Sequence, residues 1–195
     1  MQEKNWPNFN KKLIFKVGKV LSSGKINYTN GEYGKKFEEE FSKFVNNKYS
    51  IAICNGTAAL EVAIKSLELP KNSEIIVPAR SFFSSASCIF NTGYKPVFTD
   101  VDLNTQNISI DDVKKKITQN TKAIVCVHLA GLPCDMHGIK KLANKYKLKI
   151  IEDCSQAHGA SINNQPVGSF SDVSTWSFCT DKIISTLGEG GMIST

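Results

Sequence analysis

The stretch SIAICNGTAALEVAIKSLELPKNSEIIVP, residues 50–78, decides the architecture. Residues 50–54 form a short β-prone run, and residues 57–67 an amphipathic one. A Pro-Lys-Asn-Ser turn then leads into a second β-prone run at 74–77. Outward from there the alternation continues. Residues 96–99, 123–128, 149–152 and 173–178 are short and rich in Ile, Val, Phe or Cys, while 84–91, 110–117 and 136–146 carry helical periodicity. Near-continuous apolar strands separated by helices predict an α/β domain with a mostly parallel sheet between helical layers, its strands buried on both faces.

A chain of 195 residues, 41% apolar and 22% charged, fits one globular domain with a core rather than a disordered polymer. No window approaches the ~18 apolar residues of a membrane helix. The start, Met1-Gln2-Glu3-Lys4-Asn5-Trp6-Pro7, lacks the apolar centre of a secretion signal, so a cytoplasmic protein is expected, with no membrane partner. The net charge of +6 rests on lysine, with Arg80 the single arginine. Nucleic-acid readers lean on arginine forks, so no nucleic-acid partner is expected. Cys54, Cys88, Cys126, Cys134, Cys154 and Cys179 contain no C-x-x-C pair and read as reduced thiols. Cys126, His128 and Cys134 match no standard zinc spacing, so no metal is expected, and His128 reads as a satisfied core residue.

Residues 1–45 read as loops plus one amphipathic helix at 37–44, with Phe37, Phe41 and Phe44 on one face, packing on a domain that spans 46–195. Gly191-Met192-Ile193-Ser194-Thr195 reads as the opening of another strand, which implies an incomplete sheet.

In parallel α/β sheets, ligands gather at the carboxyl ends of strands. Gly56 and Thr57 open a helix directly after the first strand, where free amides suit a phosphate; the alternative for Thr57 is a plain helix cap. Asp153 ends a β-rich run and suits a protonated ring nitrogen, the alternative again being a cap. Phe82, after the second strand, can stack on a planar ligand or fill the core. Ser177 can add a hydroxyl to the phosphate cup, and His158 either touches a ligand or is satisfied near the core. Lys182 lies between an apolar run and the turn Gly188-Glu189-Gly190-Gly191, where a desolvated amine can condense with an aldehyde. An anion cup, an acid, a stacking ring and a pocket lysine are the protein-side requirements of pyridoxal 5'-phosphate.

These residues lie within six ordered motifs. They are Asn55-Gly56-Thr57-Ala58-Ala59-Leu60, Val77-Pro78-Ala79-Arg80-Ser81-Phe82, Gly93-Tyr94-Lys95-Pro96-Val97-Phe98-Thr99-Asp100 and Val127-His128-Leu129-Ala130-Gly131-Leu132-Pro133. After them come Ile151-Glu152-Asp153-Cys154-Ser155-Gln156-Ala157-His158-Gly159 and the run from Ser177 to Gly191. Together they make the chain similar to the DegT/DnrJ/EryC1/StrS family of pyridoxal-phosphate sugar aminotransferases. That resemblance implies the large domain of a fold-type I, aspartate aminotransferase-like transferase. It also implies Lys182 as the Schiff-base lysine, Asp153 at the ring nitrogen and Gln156 near the ring hydroxyl. Gly56, Thr57, Ala58 and Ser177 would take the phosphate, and Phe82 would stack. Ser81 stands where the family usually has threonine. The implied reaction moves an amino group, typically from glutamate, to a keto carbon of a nucleotide-linked sugar in amino-sugar or cell-surface polysaccharide biosynthesis, in a homodimer. Sugar dehydratases of the family carry histidine at the lysine position, so Lys182 favours transamination over dehydration. The resemblance further implies more of the large domain and a small C-terminal domain beyond Thr195, without which these residues would be an inactive fragment.

Overall fold

The computed structural model describes residues 6–195. Residues 1–5, which open both the segment read for a secretion signal and the amino-terminal packing segment, lie outside the described residues. Two helices, α1 (Lys11–Ser22) and α2 (Tyr33–Phe44), precede the alternating region. It runs β1 (Ser50–Ile53), α3 (Gly56–Ser66), β2 (Glu74–Pro78), α4 (Ser84–Asn91), β3 (Lys95–Thr99), α5 (Ile110–Lys116), β4 (Thr121–Val127), α6 (Met136–Tyr146) and β5 (Lys149–Asp153). A small hairpin, β6 (Ser161–Ile162) and β7 (Gln165–Pro166), leads to β8 (Val173–Ser177) and β9 (Gly191–Ser194).

The main sheet has the order β1-β9-β8-β5-β4-β2-β3. Pairs β2–β3, β2–β4, β4–β5 and β5–β8 are parallel, and β9 runs antiparallel to both β8 and β1. Every strand except β9 therefore points its carboxyl end toward one edge of the sheet.

Period-two alternation sorts the core. Ile75, Val77, Ala123, Val125, Ile151 and Ile193 meet Leu60, Ile64 and Ile89 of α3 and α4 on one face. Their strand neighbours Ile76, Ile124, Cys126 and Ile150 meet Met136, Ile139 and Leu142 of α6 on the other. Trp176, Phe178 and Met192 extend that second face under Phe41 and Val45. Each fully buried aliphatic or aromatic chain contributes roughly 1.5–3 kcal/mol. The central strands are buried on both faces as expected. The edge strands are not: Ile51 of β1 and Phe98 of β3 are each about half exposed. Pro96 sits on edge strand β3, where no second ladder needs its missing N–H.

Phe37 and Phe41 of α2 pack edge-to-face on Phe178 at 5.1 and 5.4 Å, while Phe44 at the helix end is half exposed. Two elements correct the sequence reading. Helix α1 falls in a segment expected to be loops; Asn10 caps it by accepting from the Leu13 amide at 2.9 Å, and none of its residues is buried. The β6–β7 hairpin turns on Asn163 and Asn164, both at positive φ, a pair suited to a tight hairpin. No helix among the described residues is long and apolar enough to cross a membrane.

Candidate active site

Strand register builds the site. Ile53, Gly191 and Ser177 stand opposite one another across β1, β9 and β8. The chain leaving β1 therefore passes directly beside the end of β8. A Cβ added to Gly56 would lie 2.7 Å from Ser177 Cβ, and one added to Gly191 would lie 2.4 Å from the Asn55 carbonyl oxygen. Both glycines are required by close approach. Asn55 caps α3 by accepting from the Ala58 amide at 2.8 Å, and the Ala59 amide donates to the Asn55 carbonyl. That leaves the Gly56 and Thr57 amides at the helix start, next to the Ser177 hydroxyl, as an anion cradle. Ala58 departs from expectation, because its amide is taken by Asn55 and it lies outside the cavity wall.

The cavity at this edge has a volume of about 550 Å³. Gly56, Thr57, Phe82, Asp153, Gln156, Ser177 and Lys182 all line it, and five strand ends supply its walls. Phe82 is 67% exposed, which removes core packing as its role and leaves a ring on the cavity wall. Asp153, at the last position of β5, is buried. Its Oδ2 accepts from Ser85 Oγ at 2.9 Å and its Oδ1 from the Ser155 amide at 3.2 Å. Gln156 Oε1 accepts from the Ala130 amide at 2.7 Å, which leaves the donor end of its amide for the cavity. Ser85 and Ser155 were missed in the sequence. The one available signal was the run of hydroxyls Ser81, Ser84 and Ser85 directly after the second strand.

Lys182 rides on the loop joining β8 to β9. Phe178 closes that loop: its amide donates to the Gly190 carbonyl at 2.7 Å, and its carbonyl accepts from the Thr186 amide at 3.2 Å. Thr180 Oγ1 donates to the Gly188 carbonyl at 3.0 Å. Lys182 Nζ lies 3.2 Å from Asp181 Oδ2, and its side chain is 22% exposed, so the lysine is less desolvated than its apolar approach implies. Asp181, Cys179 and Glu189 also line the cavity. Cys179 Sγ donates to Glu189 Oε1 at 3.1 Å, and that hydrogen bond raises the thiol's pKa.

Behind the site, Glu152 points to the opposite face from Asp153 and is fully buried. It accepts from His128 Nε2 at 3.0 Å and from the Gly168 and Phe170 amides at 2.7 and 2.9 Å. Burial pushes its pKa up, but the His128 and Gly168 bonds outweigh this and hold it below the usual value. The Cys134 amide donates to His128 Nδ1 at 3.0 Å, so the imidazole carries its proton on Nε2. A protonated Nε2 cannot ligate a cation. His128 and Glu152 thus form a hydrogen-bonded brace between the end of β4, β5 and the 167–170 turn, with Cys154 buried beside them.

His158 is packed against aromatic rings. It is 8% exposed, its ring lies 5.4 Å from both Trp176 and Phe178, and neither ring nitrogen has a partner among the described residues. Burial, with the Lys182 charge adding to it, pushes its pKa from 6.5 down to about 4. Because the folded value is the lower one, the stability tied to neutral His158 is complete above pH 6.5 and is lost as pH falls toward 4. Urea unfolding across that window should show a loss of up to about 3 kcal/mol. His158→Phe should flatten it; an unchanged slope in that variant would contradict the assignment.

A strand-end cavity on an α/β domain thus gathers exposed helix-start amides, a buried acid and a loop lysine. The model of the DegT/DnrJ/EryC1/StrS aminotransferase family matches residues 7–195, and the chain belongs to that family. It is 43% identical over 179 residues to a GDP-perosamine synthase of Escherichia coli O157:H7, covering 92% of this chain and 49% of that one. The crystal structure of an aminotransferase from Psychrobacter cryohalolentis superposes with a TM-score of 0.96 at 48% identity, covering 98% of this chain and 48% of that one. An E. coli GDP-4-keto-6-deoxy-D-mannose-3-dehydratase with bound hydrated PLP superposes with a TM-score of 0.91 at 32% identity, covering 98% and 51%. The chain thus spans about half the length of the curated relatives it matches.

Proposed function

We propose that the complete protein binds pyridoxal 5'-phosphate in this cavity and transfers an amino group, from glutamate, to a keto carbon of a nucleotide-linked sugar. One observation carries the reading: Lys182, Asp153 and the Gly56–Thr57–Ser177 cradle line a single cavity. The donor set fits the cofactor, because amides and a hydroxyl converge where Gly56 and Ser177 approach too closely for a side chain at residue 56. When bound, the cofactor supplies an aldehyde for amine capture and a ring that accepts an electron pair from carbon.

The residues of the chain divide the remaining work. The Gly56 and Thr57 amides and the Ser177 hydroxyl hold the phosphate at the positive end of α3. Asp153 would keep a proton on the ring nitrogen, the free donor end of Gln156 would meet the ring hydroxyl, and Phe82 would cover the ring face. Lys182 Nζ would be the nucleophile toward the aldehyde and, as a free amine, the base that takes the proton from the donor's α-carbon and the acid that gives it back. Asp181 beside Nζ offers a counter-charge while the amine is protonated.

The reading favours transfer over dehydration because a lysine, not a histidine, occupies the loop position. The test is incubation of the complete protein with pyridoxal phosphate, [¹⁵N]glutamate and keto sugars linked to GDP, UDP or dTDP. Mass spectrometry should find ¹⁵N in one sugar. Cofactor binding with no label in any sugar would reject the reading.

A further inference from the structure

Ser85 is fully buried behind the cavity wall, and the proposed chemistry gives it no role of its own. Its Oγ lies 2.9 Å from Asp153 Oδ2 and 2.6 Å from Ser81 Oγ, and Ser81 itself lines the cavity. Donor bookkeeping fixes the direction of this chain. A carboxylate only accepts, so the single Ser85 proton goes to Asp153. Ser85 must then accept from Ser81, whose proton is used in turn. Ser81 lies three residues before α4 and Ser85 is the helix's second residue, so the chain's entry into α4 brings the two hydroxyls together. Ser85 is fixed further by the core around it, where neighbouring Cys88 and Ile89 are fully buried.

We infer that Ser81 and Ser85 form a hydroxyl relay, with Ser85 the positioning residue that holds the Asp153 carboxylate toward the cavity. The inference rests on the cofactor reading above. Held toward the cavity, the carboxylate would keep its charge beside the ring nitrogen, and that ion pair would keep the nitrogen protonated. Around the cavity the charged groups are Asp153 on β5 and Asp181, Lys182 and Glu189 on the loop after β8; α4 contributes none. Among the described residues, Ser85 is the hydrogen-bond partner of Asp153 from the α4 side.

The experiment is ¹⁵N NMR of the complete protein loaded with ring-¹⁵N pyridoxal phosphate, titrated with pH. In Ser85→Ala the ring signal should move toward that of neutral pyridine, and its titration midpoint should fall by about one pH unit, the worth of one charge-assisted hydrogen bond. Ser85→Thr, which keeps a hydroxyl, should restore the midpoint, a rescue that a purely structural role would not require. Ser81→Ala should produce a smaller fall in the same direction, and it serves should Ser85→Ala fail to fold. A wild-type midpoint in whichever alanine variant folds overturns the relay. Failure of the unaltered protein to bind the cofactor is a different result, and it rejects the functional reading instead.

Discussion

Replacing Lys182 with alanine lowers amine transfer by the complete protein at least ~10³-fold while the fold and cofactor binding persist. The separation follows from the architecture. Lys182 is carried by a loop whose closure uses Phe178, Thr180, Thr186 and the 188–190 backbone, none of which involves the lysine side chain. Its Nζ contacts Asp181, itself an exposed residue, so removing the amine leaves no buried charge without a partner. The cradle at Gly56, Thr57 and Ser177 is set by strand register and stays in place. Only the nucleophile and proton carrier is lost. Lys182→Arg sharpens the test: it keeps the positive charge beside Asp181 but removes a titratable amine, and it should be as inactive as alanine. Steady-state turnover of ¹⁵N from glutamate to sugar, with cofactor affinity measured in parallel, decides the matter. Turnover within tenfold of the unaltered protein would remove Lys182 from the mechanism.

How much of this was legible in the sequence depended on how local each cause was. The strands and helices of the alternating region were readable because both faces of the inner strands are apolar and each helix shows one stripe. Helix α1 carries a one-sided apolar pattern much as α2 does, and the sequence reading passed over it; in the fold none of its residues is buried. Asp153, Ser177 and Lys182 could be singled out because each follows a β-prone run, and strand ends are where a parallel sheet exposes polar groups. Ser85 could not. Its importance comes from a contact 68 residues away in sequence, and such pairings exist only once β2 and β5 are placed in one sheet. Ala58 failed for the complementary reason. A glycine-threonine-alanine helix start announces free amides, but whether Asn55 turns its side chain back to cap one of them is a rotamer choice. His158 shows the same limit, since an unpartnered imidazole between Trp176 and Phe178 is a property of three packed segments.

Asp153→Asn is expected to cost roughly 10²–10⁴ in turnover, the range of a lost proton-holding group, with much less effect on stability. The substitution is nearly isosteric, so the buried site keeps its volume. What changes is the hydrogen-bond inventory. Asp153 accepts from two donors, Ser85 Oγ and the Ser155 amide, one on each oxygen. Asparagine offers one acceptor and one donor group, so only one of those partners keeps its bond. The Ser155 amide cannot reverse its role, whereas Ser85 can turn its hydroxyl to accept. The asparagine oxygen should therefore settle toward Ser155 and its amide toward Ser85, which then donates to Ser81. The fold tolerates this reversal because every hydroxyl still has a partner. Catalysis does not, because the negative charge that keeps the ring nitrogen protonated has gone and the relay now runs the opposite way. Kinetics and chemical unfolding on the same preparations separate the two effects. A variant that keeps its turnover within threefold would show that Asp153 braces the strand end and does no more.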